Sequence, residues 1–465
     1  GVLGGEQGWF GTERSGMVEE LEEELRALQF PPDCSTAKLL VWEYVNNGLG
    51  CELHWAEAML TLALAMKRTL VLHGHWVYAD RNSRYCAPYA IGSEYPTELD
   101  ETAYYLSAAQ FPDLRRTAYN PKLREMRGSR EHYFDAMDDL NELPVGAGVP
   151  SNVDVYPKTA FDCYFSPLSS CSFDAKAREE VYYLSPRESV TLMSDHHAVD
   201  HHRVVTGVPL RTAIFLGQEL VPDRFTPFGL LWWRGQLSQY IFRPNRRVRE
   251  WLAAGGGVAA LHKPQSADDA LNCEVAEDEY IVGVQVRRGD KIRESGLHEY
   301  YEYSEHAARL VRDAKRGEGM IFLATDDGDI QAQASSHANM HVMFFEHDRD
   351  ESPVAQKKLQ SSIVSGGFSD RAFRVGMYNA TAEALNVIRD VDFLADCDAF
   401  VGTFSSNVGR LAYELMVARS GQRDVASYPP AISLDRIHSL KQSGSGPLVV
   451  REESEDTMHA WVAFP

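Results

Sequence analysis

Residues 281–296 read IVGVQVRRGDKIRESG. A mostly apolar run, 281–286, stops abruptly at Arg287 and Arg288, and Asp290, Lys291 and Glu294 follow at once. The run has the length of a buried strand. A buried strand that finishes in opposite charges has its carboxyl end outside the core, at a surface or a site wall. The chain downstream repeats the pattern. Strands are expected over 281–286, 320–324, 341–345 and 399–403, with helices over 298–314, 328–337, 372–395 and 405–419. Apolar strands alternating with helices imply a parallel sheet covered on both faces. The second strand ends at Thr325-Asp326-Asp327 and the fourth at Thr403-Phe404-Ser405-Ser406-Asn407. Ligands of open parallel sheets bind beyond the carboxyl ends of the strands, so the three clusters are expected on one edge.

The residue types suit a single ligand. Arg287 offers a planar fork to phosphate, and Lys291 offers a point charge. Ser405, Ser406 and the N–H groups of the following helix can cap a further phosphate oxygen. A carboxylate such as Asp390 suits a ribose or a base edge. The plainer alternative is that Arg287 and Arg288 pair on the surface with Asp290 and Glu294. Three strand-end clusters together favour a site.

The N-terminal half is organised differently. A helix is expected over 12–30, with Met17, Leu21, Leu25 and Leu28 on one side and Pro31-Pro32 as its stop. A strand over 38–44, a tight loop at Asn46-Asn47-Gly48-Leu49-Gly50, a helix over 52–67 and a strand over 69–73 form a βαβ unit. A glycine loop feeding a helix N-terminus can hold an anion, although a lone GxG is weak by itself. Residues 80–230 are polar and rich in aromatics, with a helical piece expected at 175–183. A helix over 232–242 carries Trp232, Trp233, Gln236 and Tyr240, and for the three aromatic residues core packing is favoured over stacking on sugars. Glycines at 255–257 and a polar stretch at 263–278 mark a boundary. The expected division is an N-terminal helix or stem (1–32), an open α/β domain (33–270), a Rossmann-like domain (279–440) and a loosely packed tail (441–465).

Composition narrows the classes. With 465 residues, 44% of them hydrophobic and 24% charged, the chain is globular and large enough for two domains. A formal charge of −21 disfavours a nucleic-acid partner. No apolar run reaches membrane-spanning length, and the start at Gly1 suggests a trimmed ectodomain. Seven cysteines include Cys163 and Cys171, close enough for a small loop disulfide, and Cys34, which could meet Cys86. Disulfides are preferred to free thiols, which implies an oxidising compartment.

Seven segments in order then carry a resemblance: LQFPPDCSTAKLLV, GLGCELHW, KRTLVLHGHWVYA, LLWWRGQLSQYIFRP, VGVQVRRGDK, IFLATDD and DVDFLADCDAFVGTFSSNVGRLAYELM. The chain resembles the eukaryotic α-1,6-fucosyltransferases, which add core fucose to N-glycans from GDP-fucose. The resemblance implies a two-domain GT-B-like α/β fold and an inverting transfer that uses no metal, with GDP-fucose as co-substrate and no cofactor. It implies that Arg287 holds the β-phosphate with Arg288 beside it. Lys291 would assist departure of the diphosphate, Asp290 would shape the site and Glu294 would be the general base. Asp390 would contact the guanine nucleotide. Ser406 and Asn407, with Ser405, would line the phosphate pocket, and Gly48 and Gly50 would close it from the other domain. Gln285 stands where the family usually has a histidine contacting the nucleotide. The loop 291–298 looks one residue shorter than usual, and residues 440–465 are too few for the C-terminal Src-homology-3-like barrel of animal members. The resemblance further implies a Golgi-lumenal enzyme with a type II anchor outside this chain, an N-glycan acceptor, and compatibility with a homodimer.

Without the resemblance, the chemistry reads the same way. Cations should face a leaving diphosphate, and a carboxylate, Glu294 or Asp290, should take the acceptor proton. Rival readings are fucosylation of chitin-type oligosaccharides, a glycan-binding protein on the same scaffold, and a zinc hydrolase built on His197 and His201. Asp327-Gly328-Asp329 imitates a manganese-binding DxD, but its position suits the start of a helix. Asn379-Ala380-Thr381 is a glycosylation sequon inside an expected helix.

Overall fold

The structure, a computed structural model, describes residues 16–44, 48–73, 76, 78–79, 160–173, 175–184, 192, 195, 197–207, 220–253, 280–288, 298–315, 319–336, 340–345, 380–422, 427–435 and 448–450. Helix α1 (Gly16–Gln29) buries Leu21 and Leu25 and ends before Pro31. Proline cannot donate to the helical ladder, which enforces that stop.

Two sheets follow. The first has four strands, β1 (Leu39–Glu43), β2 (Thr69–His73), β3 (Val181–Tyr183) and β4 (Val204–Thr206), in the order β2-β1-β4-β3. All its pairings are parallel. Helix α2 (Leu49–Ala65) makes the β1-to-β2 crossover and is buried nearly all round, so it is apolar nearly all round. The segment 175–183 is not one helix. It divides into α3 (Ala175–Glu179) and β3, because Val181-Tyr182-Tyr183 pairs with β4. β-Branched and aromatic side chains favour that outcome.

The second sheet has six strands. They are β5 (Tyr280–Val286), β6 (Gly319–Thr325), β7 (His341–Phe344), β8 (Ala399–Gly402), β9 (Ala431–Ser433) and β10 (Leu448–Val450), in the order β10-β9-β8-β5-β6-β7. Only β10 runs antiparallel to its neighbour. The tail beyond 440, expected to pack loosely, thus contributes an edge strand. Val282, Val284 and Val286 point to one face, where Tyr300, Tyr303, Ala307 and Leu310 of α6 (Tyr300–Asp313) cover them. On the other face, Gly283 lies against Leu394 and Cys397, at the end of α8 (Ala380–Ala395). Helix α9 (Asn407–Ser420) follows β8 directly. Two helix-covered, largely parallel sheets form the two-domain α/β plan expected of a GT-B-like chain.

The two sheets meet through helices. Helix α4 (Gly229–Ile241), followed in the chain by α5 (Arg246–Ala253), packs against both α2 and α9, and one hydrophobic core runs from α1 to α9. Gly235 permits the α4–α9 approach: a Cβ there would stand 2.7 Å from the Glu414 carbonyl oxygen. Trp232 and Trp233 are fully buried, and the Trp233 indole N–H donates to Thr61 Oγ1 at 3.1 Å. Both are core residues and not sugar platforms, while Tyr240 lies under the Arg243 guanidinium.

The cysteine pairing differs from expectation. Cys34 is bonded to Cys171, and Cys163 is in a second disulfide whose partner lies outside the described residues. Cys171 belongs to the core on the Leu39–Val41 side of β1, while Cys163 belongs to the core on the Leu40–Trp42 side. The first sheet separates them, so the short loop cannot close as a disulfide.

Arg68 holds the histidine-rich turn in place. It is fully buried; Nη1 donates to the Leu39 and Arg203 carbonyls, and Nη2 to those of Val199 and His202 at 2.7 and 2.8 Å. His197 bonds Asp200 through Nδ1 at 3.0 Å, and His202 stacks on Tyr182. The pair His197 and His201 is therefore part of a turn, with His197 committed to a carboxylate, and does not form a helical zinc site. Arg68→Ala strands several buried carbonyls and should destabilise the protein by ~3–4 kcal/mol, read as a lower urea midpoint. A loss under ~1 kcal/mol would show that water replaces the guanidinium there.

Candidate active site at the junction of the two sheets

The sheet register brings the strand ends together. β5 pairs with β8 so that Val284 faces Val401, and with β6 so that Val286 faces Thr325. Extending the first register two residues sets Val286 level with Thr403. Arg287, Asp326 and the turn at 403–406 therefore share one edge, as the alternation of strands and helices implies.

Arg287 Nη1 contacts Asp326 Oδ2 at 2.6 Å, and the arginine side chain is 25% exposed. Asp326 ties it to the end of β6. Arg288 is spent differently. Its backbone N–H donates to Asp326 Oδ1 at 2.9 Å, and its Nη2 donates to the His298 carbonyl at 2.8 Å and to Glu299 at 2.9 Å. Arg288 is ion-paired, but not with the Asp290 and Glu294 weighed as its surface partners, which lie outside the described residues. Its partners are Asp326, Glu299 and Asp327, the carboxylates of the neighbouring strand end and helix start. Arg288 pins the edge and does not present a free fork to a donor. Asp290, Lys291 and Glu294 lie outside the described residues.

Gln285 is a correction. It is 3% exposed, on the face of β5 turned towards α9, and its Oε1 packs against Gly409 in the first turn of that helix. It supports the site from behind and offers no surface to a nucleotide. Asp327 behaves as the start of α7 (Gly328–Ser336): its Oδ1 accepts from the Asp329 N–H at 2.8 Å. Burial pushes its carboxyl above the usual range. The DxD resemblance is thus a helix start.

Ser405, Ser406 and Asn407 stand where the sequence puts them. Ser406 is the N-cap of α9 and accepts from the Gly409 N–H. Helix start and expected boundary differ by two residues because this cap is extended, not helical. The Ser405 N–H donates to Asp435 at 3.3 Å, and the Phe404 N–H donates to Ser433 Oγ at 2.9 Å. Asp435, at the end of β9, was not singled out by sequence reasoning. The three-residue strand before it carries no periodic signal.

The other sheet supplies a second helix end. At Gly50, in the first turn of α2, a Cβ would stand 2.9 Å from the Val408 nitrogen and 3.0 Å from the Asn407 carbonyl carbon. Only glycine allows the first turns of α2 and α9 to touch. Gly48, the N-cap of α2, has no atom near its Cβ position and makes no such contact. Two positive helix ends from two sheets converge, which is an anion site in electrostatic terms. Asp390 is buried in α8 beside Arg389, at 3.7 Å, and Arg389 covers the Phe345 ring at 4.0 Å, just past the end of β7. The sequon's Thr381 lies in α8 within reach of the Tyr164 hydroxyl, and Asn379 is outside the described residues.

Sequence reasoning missed a buried polar seam behind this edge. His54 and Glu57 on α2, Arg234 and Ser238 on α4, and Arg410 and Glu414 on α9 are all under 5% exposed. The available signal was charge inside otherwise apolar helical runs. His54, Glu57 and Glu414 offer ligand atoms within 4.8 Å of one another. Arg234, 3.5 Å from Glu57, and Ser238, 2.8 Å from Glu414, already occupy that space, so the donor set does not suit a cation. Burial pulls Arg410 down to about 10 despite Glu414 beside it.

Among the described residues no helix is long and apolar enough to cross a membrane. A family described as "Alpha-(1,6)-fucosyltransferase N- and catalytic domains" matches residues 2–86 and 155–438. A Drosophila melanogaster protein named "Alpha-(1,6)-fucosyltransferase" is 23% identical over 420 residues, which are 89% of this chain and 49% of that one. A Caenorhabditis elegans protein of the same name is 27% identical over 225 residues, 47% of this chain and 33% of that one. The chain thus spans half or less of the length of these relatives. Among solved structures, Arabidopsis thaliana FUT1 in complex with GDP is 12% identical, with a TM-score of 0.41 and coverage of 88% of this chain and 79% of that one. NodZ α-1,6-fucosyltransferase soaked with GDP-fucose is 14% identical, with a TM-score of 0.36 and coverage of 89% and 98%.

Proposed function

The chain belongs to the α-(1,6)-fucosyltransferase family, and from that premise we propose that it moves L-fucose from GDP-fucose to the innermost GlcNAc of N-glycans, inverting the anomeric centre without a metal. The observation that carries the reading is the convergence at one edge of Arg287, its side chain 25% exposed, the capped end of α9 and the Gly50 end of α2. A departing nucleoside diphosphate gathers negative charge, and fixed donors aimed at it lower the barrier without a cation. Arg287 supplies the fork, Lys291 a second cation, and the two helix ends further N–H donors. Glu294 or Asp290 takes the acceptor proton as its oxygen attacks. The displaced group leaves as GDP, and one C–O bond forms as one breaks. Disulfides at Cys34–Cys171 and at Cys163 suit an oxidising lumen such as the Golgi.

The test is incubation with GDP-fucose and an N-glycan bearing terminal GlcNAc on its antennae, with and without EDTA. Mass spectrometry should find one added deoxyhexose on the reducing-end GlcNAc, equally in both. Transfer only to a chitin oligosaccharide would move the acceptor assignment. Transfer abolished by EDTA would remove the metal-free mechanism, and GDP binding without transfer to either acceptor would leave a glycan-binding scaffold.

A further inference from the structure

The buried seam between the sheets has a direction, and it ends at the donor edge. His54 lies in the second turn of α2 with its side chain 2% exposed. Its Nδ1 is 3.0 Å from Asn407 Oδ1. The same oxygen accepts from Arg410 Nη2 at 2.5 Å. A guanidinium can only donate, so this is the acceptor end of the amide, and Nδ1 must donate to it. On the other side of the ring, Nε2 is 3.1 Å from Glu414 Oε2, an oxygen that also accepts from Ser238 Oγ at 2.8 Å. The ring therefore spans Asn407 on one side and the Glu414 carboxyl on the other. The imidazole ties the first turn of α9, at Asn407, to Glu414 two turns further along. It does so one turn behind Gly50, where the backbones of α2 and α9 touch.

We propose that His54 is a positioning residue of the donor site: acting through Asn407, it fixes the first turn of α9 against the N-terminus of α2, so that the diphosphate of a nucleotide sugar meets two helix ends already in place. The proposal rests on the donor reading given above. His54 touches no reacting atom. Its contribution is preorganisation: without the double hydrogen bond, the two ends must be ordered when the anion binds, and donor affinity falls. Binding of an acceptor that does not touch the first turn of α9 should be indifferent.

The experiment is GDP titration, by calorimetry, of the whole chain, His54→Gln, Asn407→Ala and the double variant, with KM for GDP-fucose and for acceptor measured alongside. His54→Gln should weaken GDP ~10–100-fold, the worth of one charge-assisted hydrogen bond, and raise the donor KM with the acceptor KM unchanged. In the double variant GDP should bind no more weakly than to Asn407→Ala alone, because His54 acts through Asn407. A generally structural histidine would instead add its loss to that of Asn407→Ala and disturb both KM values. GDP affinity within twofold of the parent in a folded His54→Gln overturns the proposal, and so do additive losses in the double variant. Should His54→Gln fail to fold, His54→Asn, whose amide can stand in for Nδ1 towards Asn407 but not for Nε2 towards Glu414, decides: GDP affinity close to that of the parent is the expected result, and a loss of ~10-fold or more overturns the clamp. A parent protein that binds no GDP brings down the donor reading itself, a result visible before any variant is made.

Discussion

Arg287→Lys should lower kcat/KM for GDP-fucose ~10²–10³-fold while leaving the thermal midpoint nearly unchanged. The charge survives, so a point-charge role predicts little effect. A fork role predicts a large one. Arg287 gives one side of its guanidinium to Asp326 at 2.6 Å and keeps 25% of its side chain exposed. A planar guanidinium can hold that carboxylate with one edge and a phosphate with another; an ammonium has no second edge in fixed geometry. Asp326 is itself anchored, because its other oxygen accepts the Arg288 N–H at 2.9 Å. The pair is therefore aimed by the ends of β5 and β6, and its loss should not disturb the core. Initial rates at varied GDP-fucose test this; a fall of less than ~5-fold, well short of one oxyanion-hole donor, would take Arg287 out of the donor site.

That edge was legible in the sequence because β5, β6 and β8 are buried strands with abrupt polar ends. Once strand polarity is known, a parallel sheet has only one carboxyl edge, so Arg287, Asp326 and Ser406 had to meet. Other features gave no such signal. Strands β3, β4, β9 and β10 have three residues each, too few for an alternation to be read. Strand β4 finds its place between β1 and β3, and its partner in β1 is over 160 residues away. The pairing of Cys34 with Cys171 depends on which face of the first sheet each cysteine reaches, a fact of packing and not of spacing. The seam is similarly non-local: His54 and Glu414 are 360 residues apart. Each reads as an oddity in its own apolar helix until both helices are placed side by side.

The seam gives the second large effect, through its two carboxyls. Burial pushes Glu414 upward, but His54, Arg234 and the Ser238 hydrogen bond outweigh burial and hold it below the ordinary carboxylate range. Burial, reinforced by the Glu414 charge, pushes Glu57 well above its ordinary value of 4.5. Glu414 thus favours its charged form and Glu57 its neutral form. Glu414→Ala takes the carboxylate from beside the buried Arg410 and leaves Arg234 with Glu57 alone, and should destabilise the protein by ~3–5 kcal/mol. Glu57→Gln keeps shape and hydrogen bonding and should be nearly neutral in acid. The signs of the pH dependence are opposite. For Glu57 the folded state retains a proton that the unfolded chain releases above 4.5, so stability falls as pH rises from there through the raised folded value. Glu57→Gln removes that fall and should become progressively more stable than the parent over the same range. For Glu414 the contribution is complete above 4.5 and disappears as pH drops through the lowered folded value. Calorimetric scans of the parent and both variants between acid and mildly alkaline pH separate the two. Equal losses for Glu414→Ala and Glu57→Gln at neutral pH would mean that both carboxyls are ionised, and that Arg234 and Arg410 are shared between them.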